Sequence, residues 1–210
     1  MKKGKLFLLG FNFLACTILG LAGFFAVSSV SAVNTGTATL STTIQQYLAL
    51  TVDSGGTVAF GSLTPGTPIA APSGGSVVSV VTNSANGYTV GLSDGSDTNS
   101  SMLHTDTTTY VADYAGTIAT PTSWTGTGVG VTLFAADTNK EAAWGTGTTY
   151  SDSNNKYAGV PSAATTGHTV TGFHASADTS SWAFKIDVPN TQKTGVYSGD
   201  VTFTATAVLS

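Results

Sequence analysis

Arginine is absent from this 210-residue chain, glutamate occurs once, at Glu141, cysteine once, at Cys16, and charged residues make up only 9%. Each shortage excludes something. A charged fraction far below the usual level of about 25% excludes coiled coils, charge-laced helical domains and charged disordered tails. Without arginine no side chain can grip phosphate or guanine in a bidentate fork, and the formal net charge of −4 adds repulsion, so no nucleic-acid partner is expected. What remains is threonine, serine, glycine and alanine, a composition that favours strands and turns over helices.

Met1-Lys2-Lys3-Gly4-Lys5 followed by an apolar run from Leu6 to about Val27, with small residues in Val30-Ser31-Ala32, reads as a secretory signal peptide over residues 1–32. The run is long enough for an uncleaved N-terminal anchor, the one membrane attachment the sequence offers. Phe13-Leu14-Ala15-Cys16 departs from a lipobox, and Gly10-Phe11 lacks the flanking residues of a prepilin junction. Cleavage after Ala32 leaves one domain, residues 33–210. Loss of Lys2, Lys3 and Lys5 takes its charge to −7, and loss of Cys16 leaves it without a disulfide. The expected location is extracellular, at the cell surface.

Period-2 alternation runs through this domain. Tyr197, Gly199, Val201, Phe203, Ala205 and Ala207 alternate with polar residues, as do Trp182, Phe184, Ile186 and Val188, and Gly195 suggests that the two segments form a hairpin. A long N-terminal strand is read from Ala38, Leu40, Ile44, Leu48, Leu50 and Val52. Further strands are expected near Thr57–Leu63, Ser76–Thr82, Gly87–Ser93, Val129–Ala135 and Thr166–Ser176, with turns at Ser54-Gly55-Gly56 and Asn86-Gly87. Residues 94–165 read as long decorated loops, with a small second domain as the alternative. The expected class is all-β, an antiparallel Ig-like Greek-key β-sandwich.

No cofactor, metal or catalytic residue is assigned. Gly91-Leu92-Ser93-Asp94-Gly95 has the form of a nucleophile elbow, which needs a helix after the serine, but turn residues follow. His104, His168 and His174 read as solvent-facing, the last two about 20 Å apart on one strand and too far for one metal. Asp137, Asn139 and Glu141, or Asp94 and Asp97, could offer oxygens to calcium, yet neither set completes a loop signature. Gly126, Gly128 and Gly130 do not make a dinucleotide fingerprint. Asn99-Ser100-Ser101 fits the N-glycosylation pattern. Trp124, Trp144, Tyr110, Tyr114, Tyr150 and Tyr157 could stack on sugars or cover an extended core. Lys185, alternating with Trp182 and Phe184, reads as pointing to solvent, which opposes an isopeptide cross-link.

Phe60-Gly61-Ser62-Leu63-Thr64-Pro65-Gly66, Val80 to Asn83 with Asn86 to Val90, and Gly195 to Thr204 together resemble exported bacterial surface β-sandwiches of the spore coat U and fimbrial pilin kind, and more loosely WxL-type domains. The chain departs from them in lacking the cysteines usual in fimbrial subunits, in having Leu209 where an aromatic is usual, and in having Trp182-Ala183-Phe184 in place of W-x-L. The resemblance implies a structural or adhesive role.

The first reading is therefore a non-enzymatic surface protein that self-associates or binds other surface proteins, with its strand from Thr37 to Val52 pairing with a neighbour's sheet edge. The second is a secreted carbohydrate-binding module using Trp124 and Trp144. A hydrolase using Ser93 is the third.

Overall fold

The computed structural model describes residues 36–53, 57–71, 75–95 and 100–209. The leader with Cys16, the turn at Ser54-Gly55-Gly56, and Asp97 and Asn99 lie outside them. Residues 1–42 and residues 43–210 are two compact units, and the following elements belong to the second.

That unit is nearly all β. Its strands are β1 Leu48–Val52, β2 Ile69–Ala70, β3 Ser76–Thr82, β4 Tyr88–Ser93, β5 Ser100–His104, β6 Tyr110–Ala112, β7 Thr122–Ser123, β8 Gly128–Ala136, β9 Lys156–Gly159, β10 Thr165–Val170, β11 His174–Asp187, β12 Tyr197–Ser198 and β13 Thr202–Ala207. A 3-10 turn at Ala142–Trp144 is the sole helical element among the described residues. The large sheet runs β1-β3-β11-β8-β9-β7, with β2 on the end of β11, and two three-stranded sheets run β10-β4-β13 and β12-β5-β6. All strand pairings are antiparallel.

Alternation explains the core. Val78 and Val80 of β3, Trp182 of β11 and Val131 and Leu133 of β8 join Tyr88, Val90 and Leu92 of β4 and Val170 of β10 in one buried cluster. This is the inner-face packing of two antiparallel layers, consistent with a β-sandwich. At about 25 cal/mol per Å², such burial is the main favourable term in a domain without a disulfide.

Four expectations change. The hairpin between Trp182–Val188 and Tyr197–Leu209 does not form, because β11 has both edges occupied by β3 and β8, while β13 crosses to the other layer and pairs with β4. The expected strand Thr166–Ser176 breaks at Gly172, whose φ of 90° turns the chain from β10 in one layer to β11 in the other. Thr57–Leu63 is not a strand. Gly61 at φ 74° bends it, and Val58 and Phe60 pack against the core from a loop. The N-terminal strand shrinks to Leu48–Val52, since its partner β3 ends at Thr82, opposite Leu48. Before that rung the Asn83 side chain substitutes for a strand, accepting from Tyr47 N at 2.6 Å and donating to Gln45 O at 2.8 Å.

The middle of the chain holds β5, β6, β7 and β9 where loops were expected, within the same unit as the rest. These strands have two to five residues each, too short for alternation to show.

Candidate functional site

Ser93 ends β4, is 8% exposed and pairs with Thr202 of β13; among the described residues the next regular element is strand β5, where a nucleophile elbow requires a helix. Gly128 and Gly130 open β8, another strand. Gly130 is glycine because a methyl group there would lie 2.8 Å from the Trp124 ring.

The histidines do not face solvent as expected. His168 is wholly buried, and its Nδ1 donates to the Glu141 carboxylate, whose oxygens lie 3.0 and 3.1 Å away. Glu141 also accepts from Thr169 N at 2.6 Å. His104, 8% exposed, packs on Tyr197 with ring centroids 4.9 Å apart. His174 is half-buried at the start of β11 and faces Asp178. Periodicity missed this because His168 and His174 stand on different sheets, each beside an acid from a turn or a bulge.

Of the suggested calcium ligands, Asp137, Asn139 and Glu141 are otherwise employed. Asp137 accepts from the Thr179 amide and hydroxyl, and Asn139 donates to Thr169 O. Among the described residues no group of three or more acids, histidines or cysteines is placed to hold a metal.

Of the aromatics, Trp144, Tyr114 and Tyr157 are buried, Trp124 and Tyr150 are half-buried, and Tyr110 is exposed. Trp144 is 1% exposed, donates from Nε1 to Gly167 O, and meets Trp182 edge-on. Trp124 stacks on Tyr114 at 4.4 Å and meets Tyr157 edge-on at 5.3 Å. Lys185, contrary to the solvent-pointing reading, holds its ammonium over the Trp124 and Tyr157 rings at 5.2 and 5.3 Å. Desolvation lowers its pKa below the usual lysine value. Of the two tryptophans of the glycan reading, Trp144 is buried and Trp124 is half-buried with one face stacked on Tyr114.

Among the described residues several strands end their sheets, and one of them adjoins a groove. β13 is the terminal strand of its sheet, and Phe203, Ala205 and Ala207 on its inward face are only half-buried. Beside its start lies a groove of about 370 Å³ with Val52, Phe60, Met102, Phe184 and Phe203 in its walls. A second groove, of about 590 Å³, shares Phe60 and Met102 and continues past Val111 and Ile186. Sequence reading missed the groove, since its walls come from segments far apart in the chain, and Met102 lies in an unpatterned stretch. The legible signal was the alternation of β13, whose apolar face has no complete cover.

At the other end of the unit, Ile44 is 82% exposed and Tyr47 is 56% exposed, ahead of β1. In residues 36–42, described separately, Leu40 is 93% exposed. Bare β-branched and aliphatic side chains at this level are costly to leave in water, about 1.5–3 kcal/mol each relative to burial.

No family model, curated protein or solved structure matches the chain.

Proposed function

We propose that the chain is an exported, non-enzymatic structural protein of the cell surface, an Ig-like Greek-key β-sandwich behind a signal peptide at residues 1–32, whose copies join by β-strand addition. The observation that carries this reading is the pairing of opposites in one sequence: exposed Leu40 and Ile44, and an edge strand with a half-covered apolar face.

Leu40, Ile44, Leu48, Leu50 and Val52 all occupy even positions. In an extended strand they share one face, and the last three already pack on the core. Residues 38–46 of one copy would therefore carry the side-chain pattern needed to continue a sheet. Main-chain groups of β13 in a second copy would supply the hydrogen bonds, and its groove would take alternate apolar side chains. Other surface proteins that offer an extended apolar segment would fit the same edge.

The experiment is a Leu40→Asp/Ile44→Asp variant examined by sedimentation velocity beside the parent chain. The reading requires oligomers in the parent and monomer in the variant. A parent that stays monomeric at high concentration removes it.

A further inference from the structure

We propose that His174 and Asp178 are the two protein ligands of a site for a divalent first-row cation of the zinc class, built on the bulge of β11. The site is independent of strand addition. The chain places the imidazole and the carboxylate four positions apart, which in a regular strand is about 13 Å. Here the pairing of β11 with β3 slips between His174 and Asp178, and residues 175–177 bulge out of the ladder. The bulge brings the two side chains together, with Nδ1 of His174 3.3 Å from Oδ2 of Asp178.

No hydrogen bond joins them. Asp178 is 3% exposed, yet neither of its carboxylate oxygens has a hydrogen-bond partner among the described residues. On the far side of the ring, Nε2 lies 3.3 Å from the carbonyl oxygen of Thr171, which can only accept. The proton of the neutral imidazole therefore sits on Nε2, and Nδ1 presents a lone pair beside the acid. A lone pair held next to a buried carboxylate calls for a cation between them.

The separation is the one a metal imposes. Two donors about 2.0–2.1 Å from one zinc ion, about 109° apart, stand about 3.3–3.4 Å from each other. Their axes converge on the ion rather than on each other, so two ligands of one metal stand close without hydrogen bonding. A carbonyl behind the ring, the place Thr171 takes here, is the contact that fixes tautomer and orientation in metal-binding histidines.

The surroundings suit a partly hydrated ion. His174 and Asp178 line a cavity of about 380 Å³, and a water takes about 30 Å³ of liquid, so solvent has room to complete the coordination. Asp137 lines the same cavity, its Oδ2 held by the Thr179 amide and hydroxyl, and its charge adds to the attraction. Among the described residues no lysine lines it. Tyr88 meets the His174 ring edge-on with centroids 6.4 Å apart; burial, and after it the Asp178 charge, keeps its phenol protonated, so it adds no anionic ligand. An imidazole nitrogen in the set favours zinc, copper or nickel over calcium and magnesium, which take oxygens. Two protein donors are fewer than a closed structural site has, so the affinity is modest.

The test is calorimetric titration of Zn²⁺ into the purified, untagged chain, beside His174→Gln and Asp178→Asn. The site predicts one ion per chain, binding at least about tenfold weaker in each variant, and Ca²⁺ bound more weakly than Zn²⁺ by the parent. A parent that takes up no zinc, zinc binding undiminished in either variant, or a preference for Ca²⁺ overturns it. Should the variants not fold, the ring nitrogens of the parent decide by magnetic resonance. Added Zn²⁺ then has to shift Nδ1 of His174 and leave Nε2 protonated, whereas a shift confined to His104 or His168, or none, refutes the site.

Discussion

Glu141 and His168 meet across the sandwich end, the carboxylate bridging the Nδ1 of a fully buried imidazole and the amide of Thr169. Glu141 is the one glutamate in the chain, and it closes two donors that the core could not otherwise satisfy. Glu141→Ala should lower stability by about 1–3 kcal/mol, since both donors lose their acceptor, and Glu141→Gln should cost less because an amide oxygen remains. Urea unfolding midpoints of the two variants check the order.

Gly167 is held small by its neighbours. A methyl group there would lie 2.8 Å from Trp182 Cη2 and 3.3 Å from Leu92 Cδ2, both in the core. Gly167→Ala is expected to destabilise by about 1–3 kcal/mol through overpacking. Thermal unfolding followed by tryptophan fluorescence would report it, because Trp144 bonds to the same residue's carbonyl.

Trp124 is structural in this account, covering Gly130 between Tyr114, Tyr157 and Lys185. Trp124→Ala should lower stability by about 2–4 kcal/mol while leaving oligomer formation intact at temperatures where the variant is folded. A glycan array on the parent checks the same point from the other side, and binding that disappears in the variant would restore the sugar-stacking reading.

Alkali should weaken the fold in a defined way. Burial raises the pKa of Tyr88, and with it that of Tyr157, so the native state keeps phenol protons that the unfolded chain gives up near pH 10.0. The native state then binds more protons than the unfolded one, and stability falls as pH climbs above that value. Tyr88→Phe removes the larger contribution, and the slope of unfolding free energy against pH, measured between about pH 9 and about pH 11, should become shallower.

Strands of both layers were legible in the sequence. Ser76–Thr82, Gly87–Ser93 and Val129–Ala135 declared themselves by alternating Val, Leu and Tyr, and the Asn86-Gly87 turn forms with Gly87 at φ 88°. Pairing was not legible, because alternation fixes which face a residue takes but not which strand lies beside it: Trp182–Val188 and Tyr197–Ala207 look like a hairpin and lie in different layers. The buried histidines were missed for the same reason, their partners Glu141 and Asp178 being set by a turn and a bulge. Leu40 and Ile44 continue the alternation of β1 in the sequence but lie outside the strand, because its partner β3 ends at Thr82, opposite Leu48.

The most direct measurement is negative-stain microscopy of the purified chain beside the Leu40→Asp/Ile44→Asp variant, with thermal unfolding run on both. Strand addition predicts fibres or discrete oligomers in the parent, single particles in the variant, and the same melting temperature for the two domains. Single particles in both, or fibres undiminished in the variant, would contradict it.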